Sequence, residues 1–234
     1  MNGEGSYCAK ALPRGACAFF RGFHMRLLAL SDLHADEELL DRLRAISSRQ
    51  KYDAVLFCGD ITNRGPVSYA EGVISLFPKA YAVHGNMDTP DVVEKLREMG
   101  VLVHGKKVKL GEWNLVGIGG SNPTPFGTPS EYSEDEIASA LSRAGVDEFS
   151  IVLSHPPPYG LFDEVGNGMH VGSKAVRKMV EEKRPILLIC GHVHEHEGRE
   201  ILGETLVVKL APAEKMRGAE ITIGDSIEVN FIDL

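Results

Sequence analysis

Five apolar runs in this chain each break off into a short polar cluster. The clusters are Asp32-Leu33-His34, Gly59-Asp60, Gly85-Asn86-Met87-Asp88, His155 and Gly191-His192-Val193-His194. A continuous apolar run of this length reads as a strand buried on both faces, and in open α/β sheets ligands bind beyond the carboxyl ends of such strands. The five clusters are therefore expected to meet at one crevice, although they extend from position 32 to position 194. Their glycines permit tight turns and close backbone approach there.

Between the clusters, strand and helix patterns alternate. Strands are predicted over 26–30, 54–58, 80–83, 150–153 and 186–190, with two further strand-like runs over 101–110 and 113–118. Leu39, Leu40, Leu43 and Ile46 recur at helical spacing, which predicts a helix over 37–49 with Asp36 as its N-cap. Further helices are predicted over 67–76, over 91–99 with Pro90 in the first turn, over 133–143 behind a Ser133/Glu136 capping box, and over 174–182 after Ser173. A strand over 205–210 and a hairpin turning at Gly224-Asp225 close the chain. The βαβα order followed by antiparallel strands predicts an α/β fold of mixed sheets covered by helices. No internal repeat or linker divides residues 25–234, which read as one domain.

Residues 1–24 follow neither periodicity, and their only apolar stretch, residues 16–20, is too short for a signal-peptide core. They read as a disordered leader or a misassigned start, with Met25 as the natural beginning and a targeting peptide as the alternative. The net charge of −8 argues against a long nucleic acid as partner, leaving at most a short nucleotide substrate. No apolar run is long enough to span a bilayer. Four cysteines without a CxxC pair read as reduced thiols of a cytoplasmic protein.

The polar clusters supply two aspartates, one asparagine and four histidines, with no thiolate. Imidazole with carboxylate suits Zn, Fe, Mn or Co and suits Ca poorly. Seven donors exceed the need of one tetrahedral ion and fit two divalent metal ions sharing a carboxylate. The series D-x-H, G-D, G-N-x-D, H, G-H-x-H resembles the calcineurin-like metallophosphoesterase superfamily. GGSNPTP, SHPPPYG, MHVGS and CGHVHEHEG narrow the resemblance to its small Icc-related branch.

The resemblance implies a four-layer α/β/β/α sandwich, of two mixed sheets flanked by helices, with the site at its top edge. It implies one metal held by Asp32, His34, Asp60 and His194, and a second held by Asp60, Asn86, His155 and His192, with Asp60 bridging. The implied reaction is hydrolysis of a phosphate ester, phosphodiesters favoured, by a metal-bridging hydroxide, with Asp60 and Asn86 at the reaction centre. One position departs from the pattern. Many members have a histidine after the asparagine, and here it is Met87, which cannot donate a proton. His170 is the candidate replacement acid and His84 a weaker one, while Asp88 is left to cap the next helix. Asn63 and Ser121 are candidate substrate-binding residues, with Asn122 beside them. His24, His104 and His196 read as surface or loop residues, and residues 195–200 as a solvated turn. A noncatalytic binding scaffold and a nuclease are the competing readings; a homo-oligomer remains compatible with all of them.

Overall fold

The computed structural model describes residues 8–11, 24–166 and 168–234. In chain order the strands are β1 (Cys8–Ala11), β2 (Met25–Leu30), β3 (Ala54–Cys58), β4 (Ala80–Val83), β5 (Lys107–Leu110), β6 (Trp113–Ile118), β7 (Ser150–Ser154), β8 (Glu164–Val165), β9 (Met169–His170), β10 (Leu187–Cys190), β11 (Gly198–Leu202), β12 (Thr205–Lys209), β13 (Arg217–Ile223) and β14 (Ser226–Asp233). The helices are α1 (Glu37–Arg49), α2 (Val67–Ile74), α3 (Pro90–Glu98), α4 (Glu134–Ala144) and α5 (Lys174–Lys183).

Two six-stranded mixed sheets, ordered β1-β14-β13-β2-β3-β4 and β11-β12-β10-β7-β6-β5, pack face to face. Leu27, Leu56, Trp113, Leu153 and Ile189 lie in the core between them. A second cluster joins the first sheet to α1, α2 and α3 through Leu28, Phe57, Leu43, Val73 and Leu96. A third joins the other sheet to α4 and α5 through Val152, Leu188, Leu141 and Val180. The result is the α/β/β/α sandwich, and β2, β3, β7 and β10 are buried on both faces, which explains their unbroken apolar runs.

Local signals match the structure closely. Asp36 Oδ1 accepts from Leu39 N at 2.8 Å, and Ser133 and Glu136 form the reciprocal capping box. Three expectations need correction. The run 101–110 is a strand only over Lys107–Leu110. Its first part bonds to β4 through Ala82 and then crosses to β6 at His104, so it bridges the two sheets and belongs fully to neither. Part of the supposed leader is ordered backbone, because β1 pairs antiparallel with β14; the rest lies outside the described residues. The supposed solvated turn 195–200 runs into β11, which pairs with β12 because Arg199 and Ile201 continue an extended register.

Candidate metal centre

β2, β3 and β4 run parallel in one sheet, and β6, β7, β10 and β12 run parallel in the other. Parallel strands release their following loops at the same edge, so the polar clusters gather there. The first loops are locked together by backbone. Asp32 N donates to Gly59 O at 3.0 Å, and Leu33 N and His34 N both donate to Asp60 O at 2.8 and 3.0 Å. Asp32, His34, Asp60 and His192 have φ of 56°, 48°, 46° and 73°. Non-glycine residues adopt this region at a cost that is met where surrounding structure over-determines them, commonly at functional sites.

Two glycines are required by close approach. A Cβ on Gly85 would fall 2.6 Å from Asp60 Cγ, and a Cβ on Gly191 would fall 2.6 Å from Asp32 Oδ2. Nothing larger than hydrogen fits between these backbones and the carboxylates. The G-N dipeptide is thus set by packing against Asp60, and the G-H dipeptide by packing against Ser31 and Asp32.

The side chains form two groups, Asp32/His34/His194 and Asp60/His155/His192, each with potential ligand atoms within 4.8 Å of one another. His34 Nε2 faces His194 Nε2 at 3.3 Å, and Asp32 Oδ1 lies 3.4 Å from His194 Nε2. Asp60 Oδ2 stands between the groups, 4.0 Å from His34 Nε2 and 3.5 Å from His155 Nε2. Asn86 Oδ1 lies 3.0 Å from His155 Nε2, and the rings of His155 and His192 are 4.9 Å apart.

These residues fit a pair of cations. Asp32 Oδ1 is buried and takes no hydrogen bond, and the His194 imidazole 3.4 Å away offsets part of the cost of desolvating it. Burial works against charge on Asp32, yet the contact with His194 and the positive charges of His155 and Lys209 hold its carboxyl well below the usual range. Burial likewise opposes protonation of His155, but the Asp60 and Asp32 carboxylates push its pKa up to about 9. For His192 burial wins, and its pKa falls to about 4. A divalent cation would replace the protons that such carboxylates otherwise draw onto neighbouring imidazoles.

Several supporting residues escaped the sequence reading. Asp88 does not cap α3; Thr89 takes that position. Asp88 is fully buried and accepts from Ile61 N, Thr62 N, Thr62 Oγ1 and Gly85 N, stapling the Asp60 loop to the Asn86 loop. Burial and the Asp60 charge push its pKa up to about 6. Ser31 Oγ donates to Asp32 Oδ2 at 2.5 Å, and Glu214 Oε1 lies 3.7 Å from His194 Nδ1. The Ser-Asp pair was visible at the end of β2; Glu214 is brought in only by the tertiary fold.

Other candidates separate clearly. His170 lies on β9, where Nδ1 meets Asp163 Oδ1 at 2.7 Å and the ring stays partly exposed. Asp163 is buried and also accepts from Gly160 N and Gly172 N, which pins the whole loop. His84 is buried, and burial drives its pKa well below the ordinary value. Its Nε2 meets Tyr132 Oη at 3.0 Å, so it faces the interior rather than the crevice. His104 is drawn in from the surface, because its ring packs against both His84 and Tyr132 and accepts from Gly119 N. Ser121 is fully buried and its hydroxyl donates to Asn122 O, so it shapes its loop and offers no surface to a ligand. Asn63 is exposed on the loop after β3. Met87 N donates to Asp60 Oδ1 at 2.8 Å, so this position contributes backbone where a side chain was missed.

Fold and donor set together define a metallophosphoesterase-like protein, and the comparison with known proteins agrees. Residues 25–196 match the calcineurin-like phosphoesterase family, and the chain belongs to it. The uncharacterized protein MJ1162 of Methanocaldococcus jannaschii is 34% identical over 198 residues, covering 81% of this chain and 89% of that one. The 3',5'-cyclic-nucleotide phosphodiesterase alr5338 of Nostoc sp. is 24% identical over 181 residues, covering 75% of this chain and 67% of that one. The crystal structure of TT1561 of Thermus thermophilus shares the fold, with a TM-score of 0.67 at 17% identity, over 89% of this chain and 99% of that one. Among the described residues no helix is long and apolar enough to cross a membrane.

Proposed function

We propose that this chain hydrolyses small phosphate esters, phosphodiesters in preference to monoesters, using two divalent cations. Asp32, His34 and His194 hold one ion; Asn86, His155 and His192 hold the other; Asp60 is shared. The observation that carries the reading is the convergence of the two donor groups on either side of Asp60 Oδ2. When bound, the metals polarise the phosphoryl oxygens and lower the pKa of water toward neutrality.

The chain's own residues do the rest. Asp60 is fixed by Met87 N, Asp32 by Ser31 Oγ and His192 N, and His155 Nδ1 by Cys58 O at 2.8 Å. These contacts preset the donors before any ligand arrives. With Met87 in the usual acid's place, His170 delivers the leaving-group proton. Asp163 holds Nδ1, which leaves Nε2 as the atom that gives the proton up.

The test is Asp60→Asn. The variant should lose bound manganese, measured by mass spectrometry of the desalted protein, together with turnover of bis(p-nitrophenyl) phosphate. An Asp60→Asn protein that keeps both overturns the assignment. A wild-type protein that binds metal but turns over no ester favours the scaffold reading that Met87 raises.

A further inference from the structure

Among the described residues the two most exposed large hydrophobic side chains are Phe126, at 81%, and Met169, at 61%. Both stand on loops that border the candidate centre. Residues 119–132 follow β6 and residues 155–173 follow β7, two parallel strands that end in register at Ile118 and Ser154. The first loop touches a proposed ligand directly, since Asn86 Nδ2 donates to Thr128 Oγ1 at 3.1 Å and Ser130 N to Asn86 O at 3.0 Å. The second carries His170 next to Met169. Asn122 Nδ2 joins the two loops by donating to Val171 O at 3.1 Å.

The loop that presents Phe126 is rigid. Glu131 Oε1 accepts from Thr124 Oγ1, Thr128 N and Thr128 Oγ1 at 2.6, 2.8 and 2.6 Å. Thr124 Oγ1 accepts in turn from Phe126 N at 3.2 Å, and prolines at 123, 125 and 129 remove backbone freedom on both sides. Singly exposed apolar residues are common on protein surfaces, and this one is set apart by the fixed loop that carries it. An aromatic ring held out to water by so many fixed contacts is preorganised for a flat partner, because its ordering entropy is spent before binding.

We infer that Phe126, on the loop that Asn122 ties to the loop of Met169, is a specificity-determining residue that stacks on an aromatic substituent of the phosphate ester, a nucleobase or an aryl group. The occupant is the substrate because the same loop grips Asn86, so a phosphate at the centre brings its substituent past this loop. The inference rests on the phosphoesterase reading, and its test separates the two.

Bis(p-nitrophenyl) phosphate and methyl p-nitrophenyl phosphate share a leaving group and differ only in the retained substituent. In the manganese-loaded protein, Phe126→Ala should lower the ratio of their kcat/KM values by about fivefold to a hundredfold, the span that one aromatic stack supplies. The fall should lie mainly in KM. Met169→Ala should shift the ratio in the same direction by less. A second readout needs no turnover: by calorimetry, wild type should bind adenosine 5'-phosphate more tightly than methyl phosphate, and Phe126→Ala should erase the difference. An unchanged ratio, or an unchanged preference in binding, overturns the inference. So does a light-scattering shift from dimer to monomer in Phe126→Ala, which would make the ring a contact between copies. If wild type hydrolyses neither ester, the phosphoesterase reading falls and the binding arm alone decides the role of Phe126.

Discussion

Alanine at Gly85 is the smallest change that should dismantle the centre. The added carbon would lie 2.6 Å from Asp60 Cγ and nearer still to its Oδ1 and backbone nitrogen. Neither side can retreat freely. Gly85 N donates to Asp88 Oδ2 at 2.8 Å, Asp60 Oδ1 takes Met87 N at 2.8 Å, and Asp60 O takes both Leu33 N and His34 N. Forcing one methyl into a packed site of this kind costs about 1–3 kcal/mol. With a urea m-value of about 1–3 kcal/mol/M, the unfolding midpoint should fall by roughly 1 M. The displacement falls on Asp60, so bound manganese should be lost in the same variant. Gly72 in α2 is the control, because a Cβ there meets nothing within 4 Å. Gly72→Ala should stabilise the protein by about 0.5–1 kcal/mol and leave metal content alone. A Gly85→Ala protein with the wild-type midpoint and full metal content would refute the packing argument.

Three further outcomes are expected. Manganese at about a hundredfold over its Kd should add about 2.7 kcal/mol of stability, reversed by chelator, and His155→Ala should show little of that gain; equal thermal midpoints with and without metal in wild type would count against the site. His170→Ala should slow alkyl phosphodiesters by about 10²–10⁴-fold and nitrophenyl esters far less, since only a poor leaving group needs the proton. Asp163→Asn, which spoils the Nδ1 contact, should slow the alkyl ester more than the nitrophenyl ester, and equal losses on both esters would remove the acid role. Burial first, then the charges of Arg143 and Arg97, lowers His104 to about 4 from its ordinary 6.5, in a pocket shared with His84 and Tyr132. Its share of stability is therefore complete above pH 6.5 and lost as pH falls toward 4, by at most about 3 kcal/mol. His104→Asn, which keeps an acceptor for Gly119 N, should make the fall of the urea midpoint across that window shallower, with His84 and His192 supplying the remainder; an unaltered slope would show that His104 contributes nothing to it.

The candidate donor residues were legible because each sits where a period changes: an apolar run of β2, β3, β4, β7 or β10 stops, and the next residues must serve the loop and not the core. Helix starts were legible for the same local reason, in that Asp36 and Ser133 satisfy orphan amides within three residues of themselves. What escaped depends on distance along the chain. Asp88 staples residues 26 and 27 positions away, Glu214 meets a histidine 20 positions earlier, and the His104 ring stacks on Tyr132, which no local pattern announces. Ser121 shows the converse. Its position in GGSNPTP draws attention to it as a ligand contact, yet the fold turns its hydroxyl onto Asn122 O and gives the crevice-facing bond to Thr128, seven residues on. The motif therefore opens a scaffold: Pro123 and Pro125 in it, with Pro129 and Glu131 beyond it, fix Thr128 against Asn86 and hold Phe126 outward. The residue directly after that motif, Phe126, meets solvent as an apolar ring, which polar pattern-matching passes over. Within this loop the Glu131 carboxylate engages the hydroxyls of Thr124 and Thr128, so the large side chain it presents to solvent is the aromatic ring of Phe126.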